Sequence, residues 1–172
     1  VGKKLKANSP ANELVLFFQN DNKKKINLIF RAYNDGFAFR YEFPGSDEGI
    51  HKIIEELTGF AIPGDAKAWI QPYDLNVRMK PCYETYYEDA ITPGSPSPNT
   101  AGWAFPALFN IGRIWMLISE AGVDETYCAT HLEDKKGNGL YTIRFPEKEE
   151  VTSNAGPEPE SGLSWKTPWR VA

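Results

Sequence analysis

The chain has 172 residues, enough for one domain that buries roughly two-thirds of its unfolded surface without disulfide or metal staples. Apolar residues make up 41% and aromatics 13%, with only two Met, a balance that suits strands and sets an all-β expectation. A net charge of −4 with dispersed Lys and Arg, apart from Lys23 to Lys25, leaves no basic face for nucleic acid, and no apolar run approaches a membrane span.

The chain opens on Val1 and stops at Ala172 after the aromatic-rich TPWRVA, without an apolar leader, so a piece of a longer polypeptide is expected. Glu13 to Phe18, ELVLFF, reads as a strand ending in the polar cluster Gln19 to Asn22. Ile26 to Pro44, INLIFRAYNDGFAFRYEFP, reads as a β-hairpin, with Asp35 and Gly36 as a two-residue loop supplying positive φ angles. That register puts Leu28, Phe30 and Ala32 on one face with Phe37, Phe39, Tyr41 and Phe43, a predicted core face. A three-residue loop would instead pair Phe30 with Arg40 and mix the faces. The favoured register sets Arg31 directly opposite Arg40, a like-charge pair that calls for an acid between them.

After Pro44-Gly45, the stretch IHKIIEELTGFAI fits two periods. Ile50, Ile53, Ile54 and Leu57 match a helix, whereas Ile54, Glu56, Thr58 and Phe60 match a strand; the Pro-Gly turn and the neighbouring strands favour the latter. Ala68 to Ile70 and Cys82 to Glu88 are strand candidates, and Thr92 to Thr100, TPGSPSPNT, is an exposed loop. Phe105 to Ile111 and Arg113 to Ser119 form a second hairpin joined near Asn110 to Gly112, its second strand central because it is almost continuously apolar. Tyr127 to Leu132 is a further strand, Lys135 to Gly139 turns into LYTIRF, and Glu147 to Ser164 is an acidic, Pro-rich loop before Trp165. Strands recurring with short turns predict a single antiparallel β-sandwich over residues 1–172, without internal repeats.

Catalytic motifs are absent: no GxSxG, HExxH, phosphate-cradling glycine loop or EF-hand loop. His51 and His131 are far apart and lack ligand-like neighbours, so neither reads as a metal ligand. Cys82 and Cys128 do not form a CxxC pair and are either free thiols or one disulfide. Two acidic sites stand out. In CYETYYEDA, Glu84 and Glu88 lie among Tyr83, Tyr86 and Tyr87, a combination that suits sugar stacking but equally a half-buried strand with polar residues facing water. Glu120 ends a very apolar strand; a buried role, paired with Arg31 or Arg40, is favoured over a functional one.

Together, Asn12-Glu13-Leu14, RAYNDGFAFRYEFP, Tyr83-Glu84-x-x-Tyr87, Ser119-Glu120-Ala121 and Thr167-Pro168-Trp169-Arg170 resemble, in that order, the amino-terminal domain of glycoside hydrolase family 97. The hairpin and TPWR are the most diagnostic pieces. The resemblance implies a β-super-sandwich, here an incomplete one, preceding a catalytic (β/α)8 barrel in exported bacterial α-glucosidases or α-galactosidases, periplasmic or secreted. It implies that this chain is non-catalytic, packs on the barrel at an oligosaccharide-binding interface, and contributes one glutamate, matched to Glu84, to an active-site Ca²⁺. It also implies an extended conformation for IHKIIEELTGF. The alternatives are a free-standing carbohydrate-binding module, stacking sugars on Tyr83, Tyr86, Trp69 and Trp103, and a purely structural scaffold.

Overall fold

The computed structural model describes residues 8–74, 85–151 and 156–172. The first half carries β1 (Asn12–Gln19), β2 (Lys25–Ala32), β3 (Phe37–Phe43), β4 (His51–Lys52), β5 (Gly59–Ala61), β6 (Lys67–Ile70) and β7 (Glu88–Ile91). The second carries β8 (Ala107–Ile111), β9 (Ile114–Ala121), β10 (His131–Glu133), β11 (Leu140–Arg144), β12 (Glu160–Ser161), β13 (Trp165–Lys166) and β14 (Trp169–Val171), with one 3-10 turn at Lys148–Glu150. A nine-stranded sheet runs β1-β2-β3-β14-β9-β8-β6-β7 with β13 also on β3, faced by a three-stranded sheet β10-β11-β5 and a small β12-β4 pair. The strands pair antiparallel, as expected of a sandwich.

Alternation decides which side chains enter the core. From the large sheet Ala68, Ile70, Ala107, Phe109 and Ile118 point inward; from the facing layer come Phe60, Ile62, Leu132, Tyr141 and Ile143, with Trp103 between. Each large apolar side chain buried here contributes about 1.5–3 kcal/mol. The strand reading of residues 50–60 holds in outline: β4 and β5 flank an extended segment whose Thr58 carbonyl accepts a hydrogen bond from the Ile143 amide at 3.0 Å. Glu56, Thr58 and Phe60 are buried, while Ile50, Ile54 and Leu57 of the competing helical stripe are exposed. The Tyr127 to Leu132 strand is shorter than expected. Tyr127 closes a turn built on Asp124, which accepts from the Thr126 amide and hydroxyl at 2.8 and 2.7 Å, and pairing begins only at His131. Of Cys82 to Glu88, residues 82–84 lie outside the described part and β7 starts at Glu88.

The hairpin forms, but in a different register. Ala32 pairs with Phe37 and Phe30 with Phe39, so the loop is the four residues Tyr33 to Gly36, closed by the Tyr33 amide donating to the Gly36 carbonyl at 2.8 Å. Neither Asp35 nor Gly36 takes a positive φ. Glycine is needed for a different reason: a Cβ at Gly36 would lie 2.7 Å from the Ala172 carbonyl oxygen, and Ala172 exchanges two backbone hydrogen bonds with Phe37. A long-range contact, invisible locally, sets the turn. The register shift is two residues, so the predicted faces survive, yet Phe39 packs against the core while Phe37 stays largely exposed. The opposite face is also covered in part, with Ile29 and Ala38 buried.

The shift also separates the arginines. Arg31 now opposes Ala38 and Arg40 opposes Ile29, and no acid bridges them. The Trp169 indole lies between instead, its centroid 4.5 Å from the Arg31 guanidinium carbon and 4.3 Å from that of Arg40. Arg31 also donates to Glu13 at 2.7 Å, and burial, followed by the Arg31 charge, lowers the pKa of Arg40.

Glu120 pairs with an arginine, but the partner is Arg170 rather than Arg31 or Arg40. Arg170 is fully buried between Phe39 on β3 and Glu120 on β9. Its Nη1 donates to Glu120 at 2.6 Å, and Nε and Nη2 grip both oxygens of buried Glu56 at 2.8 and 2.5 Å. Thr130 donates its amide and hydroxyl to Glu120 at 2.9 and 2.8 Å, and the Tyr127 hydroxyl donates to Glu56 at 2.9 Å. Burial opposes the Arg170 charge, but the hydrogen bonds and charge of Glu56, joined by Glu120, offset this and raise its pKa. Arg170→Met leaves two carboxylates without their cation and is expected to destabilise the fold by about 3–5 kcal/mol, with Glu120→Gln costing about half as much. Urea denaturation measures both; an unchanged midpoint for Arg170→Met would remove the network from its structural role.

Candidate functional site

The end of β6 leads into QPYD, Gln71 to Asp74, the last described residues before the stretch that holds Glu84. Gln71 is buried, so its amide must find partners. Its Nε2 donates to the Thr85 carbonyl at 3.1 Å and hydroxyl at 2.9 Å, and the Thr85 hydroxyl donates to the Pro72 carbonyl at 3.2 Å. This clasp ties Thr85 to the end of β6. Glu84, Tyr83 and Cys82 lie outside the described residues; Glu84 is the residue joined directly to clasped Thr85.

The clasp rests on a rigid base. The Ala104 amide donates to Gln71 at 2.8 Å, the Tyr73 amide to Gly102 at 2.9 Å, and Trp103 exchanges backbone hydrogen bonds with Leu132 at 2.7 and 2.8 Å. Gly102 sits at φ 84°, where a Cβ would meet the Leu132 oxygen at 2.2 Å, so no other residue fits that approach. Trp103 is 1% exposed and cannot stack on a sugar, which corrects its place in the carbohydrate-module reading. Beneath it the His131 ring stacks on Tyr73 with centroids 3.9 Å apart, and the Tyr73 hydroxyl donates to Glu150.

Past the clasp, Tyr86 is 93% exposed and Glu88 half-buried. Half-exposed Tyr87 joins Trp69, Pro106, Leu108, Trp115 and Leu117 around a shallow depression of about 490 Å³, in which the two indoles sit 5.0 Å apart. The remaining predicted groups are scattered. His51 pairs with exposed Asp47 at 2.8 Å, the hydrogen bond from His51 holding that carboxyl below the usual range. Cys128 is a free thiol that burial, then the Glu120 charge, pushes up to about 12, so it is inert at neutral pH. Among the described residues no group of three or more His, Cys, Asp or Glu could hold a metal alone. Sequence reasoning missed Gln71, Thr85, Glu56 and Arg170. The one local signal was an arginine inside the apolar TPWRV.

The described residues form a β-sandwich that carries the Gln71–Thr85 clasp and an aromatic surface depression. The chain belongs to the family described as glycosyl-hydrolase 97 N-terminal, which matches residues 1–172. A probable retaining alpha-galactosidase of Streptomyces bingchenggensis (strain BCW-1) is 29% identical over 171 residues, 99% of this chain and 24% of the relative. The crystal structure of a beta-arabinopyranosidase is 36% identical with a TM-score of 0.86, over 94% of this chain and 27% of that one. A glycoside hydrolase family 97 enzyme in complex with acarbose, from Pseudoalteromonas sp. strain K8, shares the fold at a TM-score of 0.63 and 20% identity, over 96% and 27%. The chain therefore spans about a quarter of the length of the relatives it matches.

The base of the clasp has a pH signature. Burial, then the Arg144 charge, pushes His131 down from 6.5 to about 3, offset slightly by the Ala101 backbone. Because the folded value is the lower one, this neutral ring supports the fold fully above pH 6.5, and the support is lost as pH falls from 6.5 toward 3. The slope is about 1.4 kcal/mol per pH unit. Neither ring nitrogen has a well-formed hydrogen bond, so His131→Phe is expected to fold and to flatten that part of the profile. Urea titrations across this range, showing the same slope in both proteins, would refute the assignment.

Proposed function

We propose that this chain is the non-catalytic amino-terminal domain of an exo-acting, Ca²⁺-dependent α-glycosidase, packed on a catalytic (β/α)8 barrel and lending Glu84 to a Ca²⁺ at the active site. The observation that carries the reading is the Gln71–Thr85–Pro72 clasp, which ties the residue next to Glu84 to the scaffold through buried hydrogen bonds. Ca²⁺ takes six to eight oxygens, and the described residues hold no acidic cluster, so the donor set fits a shared site in which this domain gives one carboxylate and the barrel the rest. When bound, the ion would supply positive charge that stabilises developing negative charge on the substrate. The domain's own part is to contribute the Glu84 carboxylate, while the barrel supplies the reacting carboxylates.

The relatives favour a substrate class. An α-galactosidase and a β-arabinopyranosidase share a stereochemical target, because a β-L-arabinopyranoside is an α-D-galactopyranoside without its hydroxymethyl group. The parent enzyme is accordingly read as acting on galacto-configured α-linkages rather than glucosides, in the periplasm or outside the cell. The free-standing carbohydrate module is the weaker reading, since Trp103 is buried.

In the intact parent enzyme, Glu84→Gln is expected to cut activity and Ca²⁺ affinity by at least the roughly 10–100-fold that losing a supporting group around a metal costs. Rate assays against Ca²⁺ concentration read this out, and full activity at limiting Ca²⁺ would sink the role. The 172-residue chain alone is expected to show no micromolar Ca²⁺ or oligosaccharide binding by calorimetry.

A further inference from the structure

We propose that the outer face of β6, β8 and β9, centred on Trp69 and Trp115, is the surface on which the catalytic barrel docks. The inference rests on the reading above, that such a barrel belongs to the same polypeptide. Alternation builds the face: while Ala68, Ile70, Ala107, Phe109 and Ile118 enter the core, Trp69, Leu108 and Leu117 align across three strands on the other side, with Trp115 opposite Asn110. Trp115 is 59% and Leu117 49% exposed, and Ile114 beside them is exposed too. Scattered exposed apolar residues are ordinary, but a contiguous aromatic and aliphatic patch marks an interaction site.

Four observations choose the occupant. First, among the described residues no carboxylate, amide or basic side chain lines the depression; its side-chain polar groups there are the Tyr87 hydroxyl and two indole N–H groups. A sugar, which needs several directed hydrogen bonds, is poorly served there, whereas an apolar protein surface is well served. Second, Tyr87 lies on this face two residues after clasped Thr85 and three after Glu84, so a partner that receives Glu84 is placed next to it. Third, β14 runs antiparallel to β9 with Val171 opposite Ser119, so a chain continuing past Ala172 in that register passes Leu117 and then Trp115. Fourth, the relatives are about four times as long as the region matched, and this region is the amino-terminal one, so a large following domain is at hand.

Hydroxyl-radical footprinting of the intact parent enzyme tests the assignment. Trp115 and Leu117 are expected to oxidise about ten-fold more slowly than in the urea-unfolded enzyme, as in a desolvated interface core. Protection below about two-fold, which half exposure alone would give, overturns it. Protection that disappears on dilution assigns the face to a second copy, and protection that needs added oligosaccharide assigns it to a sugar; either also overturns it. The two readings fail separately. A fully active Glu84→Gln enzyme with protected Trp115 removes the calcium role and supports the docking face, whereas an inactive one with reactive Trp115 overturns the docking face alone.

Discussion

A guanidinium sealed from water holds the two layers of this sandwich together. Arg170 makes four side-chain hydrogen bonds, two to Glu56 from the facing layer and one each to Glu120 and Thr130. A cation so placed is costly unless its partners are complete, and the same is true of the carboxylates. The network contributes little net energy against an apolar core of equal volume, but it tolerates only one alignment. Sliding either layer by a residue would strand the Glu56 carboxylate and take two hydrogen bonds from Arg170, which makes the network a device for specifying register.

Its neighbour does related work on the other face. Because side chains alternate, Trp169 points outward where Arg170 points inward, and its indole is gripped by Arg31 and Arg40 from the hairpin. Thr167 adds a backbone and a side-chain bond to Tyr41 on β3. Thus TPWR and the hairpin, separated by more than a hundred residues, form one structural unit. That is a physical reason for the two segments to be diagnostic together.

Much of the strand pattern was legible because period-two alternation and turn residues are local properties. The hairpin's faces could be read, but its register could not, since the Ala172 to Phe37 hydrogen bonds that select a four-residue loop come from the far end of the chain. The strand period set Glu56 on the side of Thr58 and Phe60, yet nothing local showed that Arg170 would be its partner. Glu120 was readable as an acid paired with an arginine, yet its partner was sought in the hairpin, at Arg31 or Arg40, and not at the arginine fifty residues on. At the edge, the acidic aromatic run was visible, while the Gln71 to Thr85 clasp was not. Nothing about a glutamine after a strand announces which backbone it will serve.

The sheet order has a temporal consequence. Among the described residues, strands β1 to β3 pair with the β9-β8-β6-β7 half only through β14, the three residues Trp169–Val171. On the ribosome, each half can pair internally as it emerges, but the nine-stranded sheet stays in two pieces until Trp169 to Val171 leave the exit tunnel. Until then Glu56 and Glu120 lack their cation and the hairpin lacks its Trp169 stack. Closure of the domain is thereby reserved for the end of its synthesis.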